Sequence, residues 1–153
     1  MPTKNTLKSK KAITPILATL LLIVIAVAAI VVTYAWIMTY MTSATQQASV
    51  ILYNENARFV NSTTTEIVIG NSGTGDTHIV RLYLGTASNS LIDITANTTI
   101  GSGIALNAGS TATISVTWPN KAASGSWTAG ETYYFKVVPN PGQAFPFPAQ
   151  APQ

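Results

Sequence analysis

The hydrophobic pattern divides the chain into one long apolar segment and a body of short alternating segments. Residues 13–41 (ITPILATLLLIVIAVAAIVVTYAWIMTYM) contain no charged residue, and their apolar side chains cover every face of a helix. A helix of this length is about 43 Å long, whereas a bilayer core needs about 20 apolar residues. A helix that is apolar all round is buried in lipid or among other helices. The pattern therefore predicts a hydrophobic rod, here residues 13–41, with Pro15 in its first turn.

The pattern after the rod predicts first more helix and then a β-rich body. We expect the helix to continue to about Asn56; the alternative is a break at residues 42–43 and a strand over residues 49–53. From Phe59 onward apolar and polar positions alternate, and Gly- and Asn-rich turns separate the alternating segments, as in a β-sandwich or barrel. The predicted strands are residues 64–70, 78–84, 90–95, 111–118 and 131–138.

The last segment, residues 139–153, holds five prolines. Proline cannot donate to a sheet ladder, so this segment cannot be a central strand. The prolines predict an extended, polyproline-like tail, and the alternative is that the segment is disordered. Phe145 and Phe147 favour docking of the tail, because aromatic rings are costly to expose.

The net positive charge of the chain comes from its N-terminus. Lys4, Lys8, Lys10 and Lys11 precede the rod, and removing them changes the formal net charge from +3 to −1. The positive-inside rule predicts that these lysines lie in the cytoplasm and that the body lies outside. Because the rest of the chain is nearly neutral, the basic isoelectric point does not indicate nucleic-acid binding.

The sequence offers little chemistry for catalysis or metal binding. No cysteine is present, so there is no disulfide or thiolate metal site. His78, the single histidine, has Asp76 two residues before it and Glu66 and Asp93 elsewhere. A metal site there is one interpretation, but a lone histidine beside a turn is more often a surface residue. No zinc-protease, phosphate-loop, EF-hand or nucleophile-elbow motif occurs, and we expect neither an enzyme nor a cofactor.

The junction between leader and rod is the most specific motif. A basic leader before an apolar run is typical of a secretory signal peptide. This run is longer than the apolar region of an ordinary cleaved signal peptide. The alternative is therefore a signal anchor that is not cleaved. The sequence Lys10-Lys11-Ala12-Ile13, followed by Thr14 and Pro15, resembles the processing site of archaeal type IV pilins and archaellins.

That resemblance implies a set of partners and a fold. A prepilin peptidase would cut after Ala12 at the cytoplasmic face, leaving Ile13 as the new N-terminus. An assembly ATPase and a membrane platform protein would drive polymerisation of the chain with copies of itself. Many type IV pilins carry Glu at the fifth mature position, where this chain has Leu17, so the salt bridge made by that Glu is not carried over. Archaeal heads of this superfamily are immunoglobulin-like sandwiches.

Two N-x-S/T sequons, at Asn61 and Asn97, are candidate glycosylation sites because the body is predicted to lie outside the cell. Asn97 lies between predicted strands and is the better candidate.

Together these patterns predict an α+β protein: a long N-terminal hydrophobic α-helix followed by an immunoglobulin-like antiparallel β-sandwich head. The expected divisions are a cleaved leader (1–12), the hydrophobic helix (13–57), the head (58–138) and the Pro-rich tail (139–153). The expected function is a structural subunit, the major pilin, of an archaeal surface filament for adhesion. The alternatives are an archaellin of a motility filament and a monomeric, signal-anchored binding protein.

Overall fold

The computed structural model describes residues 10–119 and 125–153. The chain divides into two compact units, Met1–Ser43 and Ala44–Gln153. In the described residues one α-helix, α1 (Lys10–Ala48), precedes eight strands. The strands are β1 (Leu52–Asn61), β2 (Thr64–Asn71), β3 (Thr77–Ala87), β4 (Ser90–Asp93), β5 (Ile104–Leu106), β6 (Thr111–Thr117), β7 (Thr132–Asn140) and β8 (Phe145–Gln150), with a short 3-10 helix at Thr95–Asn97.

The predicted helix is present, but both of its ends differ from the prediction. It begins at Lys10, so Pro15 lies inside the helix and not in its first turn. Lysine and alanine at residues 10–12 are good helix formers and extend it backward. It ends at Ala48, and the prediction of helix to Asn56 is wrong. Residues 52–61 pair with β2 instead, and this tertiary pairing overrides local helix propensity.

The unit Ala44–Gln153, which we call the sandwich unit, is an antiparallel β-sandwich. One sheet has the order β1-β2-β6, and the other has the order β4-β3-β7-β8 with β5 paired to β3. Both sheets contribute to one hydrophobic core, in which Ile67, Ile114, Leu82 and Phe135 are fully buried. The predicted fold class, a long apolar helix followed by an immunoglobulin-like sandwich, is confirmed.

Strand β3 shows why its apolar residues break a strict alternation. Thr77 and Ile79 face the core, and then Leu82 and Leu84 do. Between Ile79 and Arg81 the register with β7 shifts, because β3 contains one extra residue there. A β-bulge of this kind reverses which side chains face inward, and it keeps both halves of β3 in the core.

All five predicted strands are present, within one to three residues at their ends. Strands β5 and β8 were not predicted, and β1 overlaps the alternative strand over residues 49–53 at its first two residues only, while the break at residues 42–43 is absent. The C-terminal segment is therefore not a free polyproline tail. Pro139 and Asn140 end β7, and β8 pairs with β7 at the edge of the second sheet. Phe147 is buried, and Phe145 packs against the core, as the cost of exposing these rings predicts.

Candidate assembly surface

The apolar surface of α1 is the most prominent candidate site. Within the described residues, Thr14–Ala48 is the one helix long and apolar enough to cross a membrane. Its large apolar side chains are all exposed, from 42% at Ile37 to 69% at Leu22 and Trp36. Exposed apolar surface of this extent marks a membrane or protein contact. The single chain therefore lacks the environment that covers this helix.

Several hydroxyl groups of α1 form hydrogen bonds within the helix. Five of them donate to a backbone carbonyl three or four residues earlier, at 2.8–3.2 Å; the donors are Thr19, Thr33, Thr39, Thr42 and Ser43. A polar group left unpaired in hydrocarbon costs several kcal/mol, on the order of 2–7. Because these five hydroxyls bond to their own helix, they can face lipid or other helices without an unpaired donor.

Two aromatic side chains form a pair in the C-terminal half of the helix. The rings of Trp36 and Tyr40, one helical turn apart, stack with their centroids 6.1 Å apart. Both side chains are more than 60% exposed. Amphipathic rings of this kind favour the membrane–water interface, and in an assembly of helices they would fill space between neighbours.

The predicted processing residues lie in the first turns of α1. Lys10, Lys11, Ala12 and Ile13 all have helical backbone, and their side chains lie outside the described part of the chain. The structure therefore brings these four residues into one helical segment but does not test whether the bond after Ala12 is cut.

The two sequons both lie on the surface of the sandwich unit. Asn61 ends β1, and its side-chain carbonyl accepts hydrogen bonds from the Thr63 N–H at 3.0 Å and the Thr63 hydroxyl at 3.1 Å. Asn97 is exposed at the end of the short 3-10 helix. The hydroxyl of Thr99, the third residue of that sequon, accepts the Ser115 N–H of β6 at 3.1 Å. Both asparagine side chains are accessible for modification.

The outer edge of β8 has almost no hydrogen-bond donors. Ala151 donates its N–H to Glu131 across the β7–β8 pair at 2.9 Å. Backbone groups alternate in direction along a strand, so the N–H positions of residues 146, 148 and 150 point away from β7. Pro146 and Pro148 occupy two of these three positions and have no N–H. This edge cannot template another strand.

The other edges of the sheets are also interrupted. Thr98 forms a bridge to Val116, so the segment after the 3-10 helix covers part of β6. The register of β1 with β2 shifts twice, between Asn54 and Asn56 and between Phe59 and Asn61. Strand β4 has only four residues. Bulges and short edge strands are devices that prevent edge-to-edge pairing.

The titratable side chains do not converge on a catalytic or metal site. Among the described residues no three His, Cys, Asp or Glu side chains lie close enough together to hold a metal ion. Asp93 lies beside Thr95, whose hydrogen bonds lower the pKa of that carboxyl, and 3.9 Å from Arg81. The Glu66 carboxylate pairs with Arg58 at 2.7 Å, and Asp76 accepts the Ala108 N–H. The three acidic residues considered as metal partners of His78, namely Glu66, Asp76 and Asp93, thus each have another structural partner.

Comparison with known proteins gives a match in fold. No protein-family model and no curated protein matches the sequence. The archaeal flagellum of Methanospirillum hungatei strain JF1 matches 94% of this chain and 94% of its own, with a TM-score of 0.66 and 12% identity.

Two further solved structures match about two thirds of the chain. The archaellum periplasmic stator protein FlaG from Sulfolobus acidocaldarius matches 65% of this chain and 99% of its own, with a TM-score of 0.52 and 17% identity. A chain of the FlaF and FlaG stator complex from the same organism matches 64% of this chain and 87% of its own, with a TM-score of 0.52 and 18% identity. The chain therefore shares its fold with the archaeal flagellum and with these periplasmic stator proteins.

Proposed function

We propose that this protein is a non-enzymatic structural subunit of an archaeal surface filament, and specifically a pilin of an adhesive type IV pilus. The observation that carries the proposal is the apolar surface of α1, exposed on all sides over Thr14–Ala48. A helix of this kind is covered either by lipid or by other copies of itself. Filament assembly uses both environments in turn, so the apolar surface never meets water.

The precursor is held in the cell membrane by the rod, with the lysine-rich leader in the cytoplasm and the sandwich unit outside. A prepilin peptidase cuts between Ala12 and Ile13. Pro15 then becomes the third residue of the mature chain, where its missing N–H costs no helical hydrogen bond. An assembly ATPase and a platform protein then move the rods from lipid into a filament core made of other rods.

The sandwich unit forms the outer surface of the filament. Its interrupted strand edges support an assembly in which rods, and not strand addition, join the subunits. Glycans on Asn97, and on Asn61, would add polar cover to a sandwich with few charged residues. Attachment to surfaces would use this outer layer.

An archaellin of a motility filament is an equally supported form of the same proposal. The likeness to the archaeal flagellum extends over both the helix and the sandwich. A swimming assay on cells lacking the protein separates the two, because loss of an archaellin abolishes swimming and loss of an adhesive pilin abolishes attachment.

A membrane-anchored, non-polymerising protein is the second candidate function. The likeness of about two thirds of the chain to periplasmic stator proteins favours it. Such a protein keeps its leader, whereas a filament subunit loses it. The leader therefore discriminates between the two functions.

The test is electron microscopy of the sheared cell-surface fraction combined with N-terminal sequencing of the filament protein. We expect filaments built of chains that begin at Ile13, and we expect Ala12→Phe to block cleavage because a bulky residue replaces the small one before the cut. Ser9→Phe, in the same leader but away from the cut, is the control. Recovery of chains that begin at Met1, in the membrane fraction without filaments, would favour the anchored protein.

A further inference from the structure

The segment that connects α1 to the first strand is a point where pulling force enters the sandwich. Residues 49–52, which we call the neck, lie within the sandwich unit and lead directly into β1. In the described sheet β1 is an edge strand that pairs with β2 alone, and its register is shifted twice. Tension on the chain before β1 would open its bonds to β2 one after another, unless the chain is fixed before the strand begins.

The neck is fixed by hydrogen bonds to the loop after β2. Residues 71–75, from the last residue of β2 onward, form this loop, which we call the clamp loop. The Ser49 carbonyl accepts two N–H groups, from Thr74 at 2.9 Å and from Gly75 at 3.0 Å. The same serine ends the helix, where its hydroxyl donates to Gln46 at 2.9 Å. One residue thus joins the last helical turn to the sandwich.

A second set of bonds holds Ile51. Its carbonyl accepts the backbone N–H of Ser72 at 2.9 Å and the hydroxyl of the same serine at 3.3 Å. Its own N–H donates to the side chain of Asn71 at 3.4 Å. The clamp loop therefore makes five hydrogen bonds to two neck residues.

Asn71 makes the clamp loop itself rigid. Only 1% of this residue is exposed. Its side-chain carbonyl accepts the Gly73 N–H at 3.0 Å, and its amide donates to the carbonyls of Gly75 at 2.8 Å and Leu106 at 3.4 Å. A buried amide with all of these partners fixes the loop in one conformation.

The clamp loop approaches so closely that glycine is needed at two positions. A Cβ on Gly73 would lie 2.1 Å from the backbone oxygen of Ser49 and 2.8 Å from the nitrogen of Ile51. A Cβ on Gly75 would lie 2.1 Å from the Oγ of Ser49 and 2.9 Å from its Cβ. The first clash is with backbone and the second is with a side chain that substitution can remove.

The neck is also held from the opposite direction by packing. Val50 and Leu52 are 7% and 8% exposed and belong to the core. A Cβ on Gly142, in the turn between β7 and β8, would lie 3.2 Å from the Cβ of Val50. That turn is tied to the start of β3, where the Thr77 hydroxyl donates to the Pro141 carbonyl.

We propose that the clamp loop is a mechanical anchor, which transfers tension on the helix into the middle of the sandwich and so protects β1 from being peeled from β2. Tension loads the five clamp bonds and the buried Val50 and Leu52 before it reaches the rest of β1. The inference concerns the single chain and holds whether the protein polymerises or remains anchored.

The test is single-molecule pulling on the full chain in detergent. The chain has no cysteine, so A44C and T86C place handles on the last helical turn and on β3 without side reactions. For the wild-type sequence we expect no step before the sandwich unfolds. For Gly75→Ala we expect an early step of about 35 Å, the extended length of the ten residues of β1.

The matched controls separate loss of the clamp from general damage. Ser49→Gly removes both side-chain atoms that meet the new Cβ, so Ser49→Gly/Gly75→Ala should lose the early step. Ser49→Gly/Gly73→Ala should keep it, because the obstacle there is backbone. Near-ultraviolet circular dichroism shows in each variant that the sandwich is folded. An early step in the wild-type chain, or none in folded Gly75→Ala, would overturn the proposal.

Discussion

One buried hydrogen bond shows how the core depends on single polar atoms. The indole N–H of Trp118 donates to the Thr65 hydroxyl at 2.8 Å, and both residues are almost fully buried. The same indole ring packs edge-on against Tyr133, with centroids 4.6 Å apart. The ring packing orients the indole, and the hydroxyl satisfies its donor.

Thr65→Val should therefore destabilise the sandwich unit by about 1–3 kcal/mol, because it leaves a buried donor without a partner. Chemical unfolding of the full chain in detergent, followed by circular dichroism, measures the loss. Thr113→Val is the matched control on the exposed face of the same sheet, and its effect should stay within about 0.5 kcal/mol. Equal stabilities of the two variants would contradict the role given to this bond.

The sequons are a second feature at the scale of the residue. Asn97 is exposed, and its neighbours Thr98 and Thr99 are held against β6. Peptide mass spectrometry of protein from the native surface should find a glycan on Asn97, and loss of that mass in Asn97→Gln. Asn107→Gln, at an exposed asparagine without a sequon, is the control. Native peptides carrying unmodified Asn97 and Asn61 would remove the glycan from the proposal and leave the fold unaffected.

At the scale of the element, the edge of β8 provides a direct test. Pro146→Val/Pro148→Val restores two outward N–H donors and completes an exposed strand edge. We expect the variant to associate through this edge, which sedimentation velocity in detergent would detect as a larger particle. Gln150→Val adds an apolar β-branched residue to the same edge without adding a donor, so it should sediment as the wild type does. Association of Gln150→Val alone would show that apolar contact, and not the missing donors, controls the edge.

The elements that the sequence predicted are those whose own residues carry a clear hydrophobic pattern, without help from neighbouring segments. Buried and more exposed side chains alternate along β6, β7 and most of β2, and the rod is defined by composition alone. Strand β1 was missed because two register shifts disrupt its alternation. Strand β8 was missed because its prolines are compatible with a strand only at an edge, and the sequence does not say which strand lies at an edge.

The candidate surfaces also differ in whether the sequence alone could predict them. The apolar surface of the rod follows from its residues, so sequence alone identified it. The clamp loop does not, because its five hydrogen bonds join segments about 20 residues apart. The Asn-Ser-Gly-Thr-Gly sequence at residues 71–75 signalled a turn, but contact with the neck depends on the sheet pairing that places β1 beside β2.

At the scale of the whole molecule, the rod and the sandwich unit are expected to contribute unequally to assembly. Ala28→Asp places a carboxylate in the middle of the rod, where it would be buried among hydrocarbon without a partner. We expect no filaments in the electron microscope. Gln46→Glu adds the same charge to the polar last turn of α1 and should leave filaments intact. Normal filaments with Ala28→Asp would mean that the sandwich units hold the assembly.

The response of filaments to salt distinguishes the same two sources of stability without any substitution. Burying a large apolar side chain contributes roughly 1.5–3 kcal/mol, whereas an exposed ion pair contributes about 0–1 kcal/mol. The two ion pairs of the described residues, Arg58–Glu66 and Arg81–Asp93, lie within the sandwich unit and are largely exposed. Sodium chloride at about 1 M screens charges beyond about 3 Å, and sulfate strengthens apolar burial.

We therefore expect filaments to sediment intact in both salts and to dissociate in a nonionic detergent, which replaces rod–rod contacts with its own hydrocarbon. Dissociation in sodium chloride together with resistance to detergent would assign the assembly to charged contacts between sandwich units. Because the rod carries no charge over residues 13–41, salt cannot weaken it by screening, and the two outcomes are mutually exclusive.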